Sequence, residues 1–127
     1  MTEKKVMLVD DNKEFLEELE ETLNLSGYKT ISVNDANLAL DAVVKSCPDV
    51  VVVDLKMPSK TGFQLADELR RIPGFDRIPI IAMSGFFKED YGPLMNICGI
   101  RKCIKKPFNP LDMISEIEEA LNNAGGE

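Results

Sequence analysis

Short, continuously apolar runs alternate along the chain with longer stretches in which apolar residues recur every third or fourth position. Val6-Met7-Leu8-Val9, Val50-Val51-Val52-Val53 and Ile78-Pro79-Ile80-Ile81-Ala82-Met83 belong to the first kind. Such runs, rich in β-branched residues, suit strands buried on both faces of a parallel sheet. Tyr28 to Val33 is mixed, as an edge strand would be, and a short strand is expected around Lys102 to Lys105. Helical spacing follows each run. Phe15, Leu16, Leu19 and Leu23 recur behind Asn12, a candidate cap, and Leu38, Ala39, Ala42 and Val43 recur behind Asn34-Asp35. Phe63, Leu65, Ala66, Leu69 and Ile72 follow Ser59 or Thr61, either of which can cap. Leu111, Ile114, Ile117 and Leu121 follow Asn109-Pro110, a cap and a first-turn proline. Ser26-Gly27, Pro48 and Pro73-Gly74 read as stops. Phe86 to Cys98 is the least regular segment, since Gly92-Pro93 leaves room for a helix of only a turn or two. Asn122 to Glu127 reads as a frayed polar tail.

Five strands alternating with five helices predict a parallel sheet with right-handed crossovers. All strand ends then lie on one rim, and four of them close in a polar group: Asp10-Asp11, Asp54, Ser84 and Lys106. Alone, Asp54 is equally a helix cap or a solvated strand-end acid. With Asp10 and Asp11 beside it, three carboxylates repel one another unless a cation offsets them. Oxygen-only ligands favour a hard ion, and Mg²⁺ is content with a few protein ligands and several waters. A hydroxyl and an ammonium beside such an ion make a place for a phosphoryl group, and a carboxylate held in line can serve as the nucleophile. Pro58 ends the strand near Leu55, and Gly62 supplies either a positive φ or room for close packing.

Composition narrows the picture further. A chain of 127 residues with 44% hydrophobic content fits one domain, here residues 1–127 with a core over about 4–121. A net charge of −7 argues against a general nucleic-acid or anionic-membrane surface and leaves room only for a local basic patch. No apolar run approaches the ~20 residues of a membrane span, and the N-terminus lacks a signal peptide's cleavage region. Cys47, Cys98 and Cys103 are odd in number and unpaired in spacing, as reduced thiols of a cytoplasmic protein would be. Without histidine, histidine-based catalysis and metal ligation are excluded.

Asp10-Asp11, the Asp54…Met57-Pro58…Gly62 segment, Ser84-Gly85, Gly99 and Lys106-Pro107-Phe108 stand in the order found in response-regulator receiver domains. The chain resembles this CheY-like family of two-component signalling from about Lys4 to Leu121. The resemblance implies a flavodoxin-like (βα)5 fold with sheet order 2-1-3-4-5. It implies that Asp54 accepts a phosphoryl group from a phosphohistidine on a sensor histidine kinase or phosphotransfer protein. Asp11, Asp54 and the Lys56 carbonyl would bind Mg²⁺, with Asp10 acting through water. Ser84 and Lys106 would contact the phosphoryl oxygens, and the Lys106–Pro107 bond would be cis.

Two departures from the family pattern bear on output. Cys103 occupies the position, three before the lysine, where receivers carry the aromatic residue that switches together with Ser84. The segment after Ser84 carries Phe86-Phe87 and Gly92-Pro93 in place of a regular fourth helix. Output is expected through a downstream protein or a second copy on the face of the fourth helix, fifth strand and fifth helix, with no direct DNA binding and no membrane. Phe86, Phe87, Tyr91 and Leu94 either form that surface or fill the core, and Lys56 is placed to influence the lifetime of a phosphorylated Asp54. Two other readings compete. A Mg²⁺-dependent phosphohydrolase would ordinarily have an acid where Lys56 stands, and a substrate-binding cap for which the chain has no room. A pseudo-receiver would lack part of the acid, hydroxyl and lysine set, which here is complete.

Overall fold

The computed structural model describes residues 3–86 and 91–125. Its strands are β1 (Lys5–Val9), β2 (Lys29–Val33), β3 (Val50–Asp54), β4 (Ile80–Ser84) and β5 (Lys102–Lys105). They form one parallel sheet in the order β2-β1-β3-β4-β5, the doubly wound flavodoxin-like arrangement. The helices are α1 (Lys13–Leu25), α2 (Ala39–Ser46, entered through a 3-10 turn at Ala36–Leu38), α3 (Gly62–Arg70), α4 (Tyr91–Cys98) and α5 (Pro110–Gly125).

Strand periodicity divides the interior into two compartments. Met7, Val9, Val51, Val53, Ile80 and Ala82 face one side of the sheet and pack with α2, α3 and α4 through Val43, Leu65, Leu69 and Cys98. Val6, Leu8, Val50, Val52, Ile81 and Met83 face the other and pack with α1 and α5 through Leu16, Leu19, Leu23, Met113 and Ile117. Val50 to Val53 are fully buried, as the valine run predicts. β2 lies at the edge and is only partly covered.

Helix starts agree with the capping signals. The Asn12 side chain accepts a hydrogen bond from the Phe15 amide at 3.1 Å, and the Asn109 side chain accepts from the Leu111 amide at 2.9 Å. Of the two candidate caps for α3, Thr61 serves, in a reciprocal capping box with Gln64.

Three boundaries differ from expectation. β4 begins at Ile80, because Pro79 has no N–H to give a ladder. The polar tail is still helical through Gly125, since α5 docks along its length by Met113, Ile117 and Ala120; Gly126 and Glu127 lie outside the described residues. α4 begins at Tyr91, so Pro93 falls in its first turn, where a missing N–H costs nothing.

Candidate functional site

Each apolar strand delivers its terminal polar residue to the carboxyl rim of the sheet. Asp10 follows β1 and Asp54 ends β3; one carboxylate oxygen from each, and one from Asp11, all lie within 4.8 Å of one another. Ser84 ends β4, and the Lys106 amide donates to the Ser84 carbonyl at 2.7 Å, bringing the lysine to the same rim. Asp10, Asp54 and Ser84 are buried, whereas Asp11 and Lys56 are exposed.

Asp10 has both oxygens engaged. Oδ1 accepts the Asn12 amide at 3.0 Å, and Oδ2 accepts Lys106 Nζ at 2.5 Å. The same ammonium lies 3.5 Å from Asp54 Oδ1. Burial raises the Asp54 pKa from 3.8 to about 6; Lys106 pulls it back down, while Asp10 and Asp11 push it up. The site therefore carries more negative charge than one lysine compensates. Oxygen donors, mutual proximity and that surplus all fit a hard divalent cation.

Gly62 supplies close packing and not a positive φ. A Cβ there would stand 2.6 Å from the Asp54 carbonyl oxygen and 2.9 Å from Leu55 Cα, and its amide donates to the Leu55 carbonyl at 2.9 Å. The start of α3 is thereby pressed against the backbone that carries Asp54. The Lys106–Pro107 peptide is cis, as expected.

The Ser84 hydroxyl does not reach the carboxylates. It donates to the Phe86 carbonyl at 2.7 Å and accepts the Phe86 amide at 3.1 Å, closing the turn after β4. Phe86 and Leu94 are exposed, while Tyr91 is half-buried with its ring edge-on to Phe63 at 5.2 Å, so among the described residues of this set the core-filling reading holds for Tyr91. Phe87 lies outside the described residues. Cys103 is half-buried against the α2–α4 compartment, and burial, aided by the Asp54 charge, pushes its thiol pKa up to about 11.

One residue of the site was not singled out by sequence pattern. The Phe15 ring lies under Lys106 Nζ at 4.2 Å from its centroid and is braced edge-on by Phe108 at 5.8 Å. The ring helps fix the ammonium by a cation–π contact. In sequence Phe15 reads only as part of an amphipathic stripe; its position in the first turn of α1, just behind the acid pair, is the one signal available.

A doubly wound sheet with a carboxylate cluster and a lysine at its carboxyl rim defines the class. The response regulator receiver domain family profile matches residues 6–118, and the chain belongs to that family. Members act in two-component signalling by Mg²⁺-dependent phosphoryl transfer. The chain is 29% identical over 121 residues to the response regulator GtcR of Aneurinibacillus migulanus, covering 95% of this chain and 49% of that one. It is 27% identical to the polar-differentiation response regulator DivK of Brucella anthropi, covering 95% and 98%. The crystal structure of the chemotaxis protein CheY4 of Vibrio cholerae superposes with a TM-score of 0.91 at 26% identity, covering 94% of this chain and all of that one. The chain spans about half the length of GtcR and 55% of PhoB, the phosphate regulon transcriptional regulatory protein of Pseudomonas aeruginosa. Among the described residues no helix is long and apolar enough to cross a membrane.

Proposed function

We propose that Asp54 is the phosphoacceptor of a receiver domain that occupies residues 1–127, with its core over about 4–121, and that relays a signal by protein contact. The supporting observation is the meeting of Asp10, Asp11 and Asp54 within 4.8 Å, with Lys106 bridging two of them. A carboxylate oxygen of Asp54 attacks the phosphorus of a phosphohistidine on a sensor kinase or phosphotransfer protein. An O–P bond forms, the P–N bond breaks, and its electron pair stays on the imidazole nitrogen. Lys106 meets the charge on the phosphoryl oxygens. Mg²⁺, when bound, neutralises those oxygens further, and Asp11, Asp54 and the Lys56 carbonyl would hold it. Asp10, with both oxygens already engaged, suits contact through water. The reaction ends at self-phosphorylation and self-dephosphorylation, without turnover of an external substrate. We place it in the cytoplasm, where free thiols such as those of Cys47, Cys98 and Cys103 persist.

Readout passes through Ser84. To contact a phosphoryl oxygen, its hydroxyl exchanges the Phe86 carbonyl for the new group, opening the turn that leads towards α4. That movement substitutes for the aromatic switch that Cys103 cannot provide, and it presents α4, β5 and α5 to a downstream protein or second copy, with no direct DNA contact. Incubation with Mg²⁺ and a small acyl-phosphate donor should give one acid-stable, base-labile phosphoryl group on Asp54. Labelling that persists in Asp54→Asn, or in excess chelator, would overturn the assignment. In the same assay Lys56→Ala should change the decay rate of the label, and an unchanged rate removes Lys56 from the mechanism.

A further inference from the structure

A second concentration of charge lies at the opposite rim, by the amino ends of β4 and β5. A cavity of about 400 Å³ opens there, lined by Arg70, Arg77 and Arg101 and by a single carboxylate, Asp76. The chain carries a net charge of −7, so three guanidiniums against one carboxylate invert the prevailing sign locally.

Arg70 is built into the fold. It donates to the carbonyls of Asp76 at 3.2 Å, of Ile78, and of Gly99 at 2.5 Å. A Cβ on Gly99 would stand 2.5 Å from Arg70 Nε, so the guanidinium lies directly against that turn. Burial lowers the Arg70 pKa, with Asp76 opposing. Among the described residues no carboxylate lies within ion-pair distance of Arg70 or Arg77, and Arg101 has only Glu119 at 3.8 Å. A guanidinium offers five N–H donors in a rigid fork. Three carbonyls leave part of Arg70 unspent, and the forks of Arg77 and Arg101 are almost wholly so. Pro79, Ile80 and Ala120 add an apolar wall, and the volume falls within the range of small-molecule sites.

We infer that this cavity binds a small organic phosphate, its anionic head on Arg77 and Arg101 with Arg70 behind, and its organic body against Pro79, Ile80 and Ala120. Phosphate matches the fork geometry bidentately and carries enough charge to engage more than one guanidinium. Asp76 and Glu119 oppose an anion and keep the affinity modest. The site joins the end of α3, the approach to β4, the turn after α4 and the last turns of α5, so an occupant secures the C-terminal end of α4. Asp54 takes no part.

The test is a titration of Asp54→Asn full-length chain, in chelator, with phenyl phosphate and with inorganic phosphate, followed by backbone amide shifts. Saturable shifts should centre on residues 70, 76–78, 80 and 99–101, with phenyl phosphate the tighter of the two. Arg77→Ala/Arg101→Ala should weaken binding at least about tenfold. Arg77 is exposed and the Arg101 side chain partly so, and an unchanged thermal melt of the double variant verifies its fold; a lowered melt moves the test to Arg77→Gln/Arg101→Gln. Shifts confined to residues 10, 54 and 106, shifts that never saturate, or full affinity in the double variant would each overturn the inference.

Discussion

At the carboxyl end of the sheet three carboxylates gather beside one ammonium, which pairs with two of them, whereas at the amino end three guanidiniums have Asp76 and Glu119 nearby and a set of main-chain carbonyls. The first arrangement leaves net charge uncompensated, and burial there raises the Asp54 pKa to about 6, with Lys106 opposing and Asp10 and Asp11 adding to the rise. The second fixes its innermost cation with neutral dipoles, so Arg70 can be held firmly without a counter-ion. One end is thus poised to change its charge state, and the other is braced. Chemistry belongs where charge is unbalanced, and anchorage where dipoles satisfy it.

The largest expected effect tests how tightly the acidic end is built. Gly62→Ala places a methyl group against the backbone of Asp54 and Leu55, which cannot yield as a side-chain tip would, and should cost about 3 kcal/mol in urea denaturation. Gly85→Ala, with nothing within 4 Å, should be nearly silent. Equal costs at the two positions would break the claim of a close backbone crossing at Gly62.

Next in size is the burial of the Asp54 carboxylate. In the folded, metal-free protein Asp54 holds its proton up to about pH 6, while the unfolded chain releases it near 3.8. The native state therefore binds more protons between those values, and stability falls as pH rises through that window. Asp54→Asn removes the penalty and should stabilise the metal-free protein by about 2 kcal/mol at pH 8, with the gain fading below about pH 4. Saturating Mg²⁺ should reverse the comparison, since only the wild type offers the cation a third carboxylate.

A smaller effect is expected at the braced end. Arg70→Lys keeps the charge and loses the fork, and should cost about 1 kcal/mol with faster hydrogen exchange at Gly99, Ile100 and Arg101. Uniformly faster exchange across the sheet would mean that Arg70 acts through global stability instead. The smallest expected effect is in thiol chemistry. Exposed Cys47 should be alkylated first, while Cys103, with its pKa pushed up to about 11, should react some hundredfold more slowly at pH 8. Asp54→Asn should narrow that gap, because the Asp54 charge contributes to it.

The acidic end was legible because it is written consecutively. A valine run closing in an acid fixes the position of Asp54 through strand geometry alone, and Asp10, Ser84 and Lys106 follow from the parallel topology. Capping residues announced α1, α3 and α5 in the same local way. Arg70, Arg77 and Arg101 come from a helix end, a loop and a strand entry, and only tertiary packing joins them. Phe15 stayed hidden because its role depends on the lysine ninety-one residues later in the chain. The Ser84 hydroxyl was placed on the correct rim, but its bond to Phe86 is a turn closure that residue types do not reveal.

The sheet also partitions the molecule for anyone who would rebuild it. Each buried side chain of a strand belongs to one compartment only, so volume lost at Leu65 cannot be refilled from Ile117 across the backbone plane. Substitutions on opposite faces should then combine additively, while those sharing a face should couple. A combinatorial library can accordingly be split in two: the inner positions of the α1–α5 layer can be repacked by selection for stability if Phe15 and Phe108 beside Lys106 are kept, while the α2–α4 layer, which holds Cys103 and the approach to α4, must also be selected for signalling.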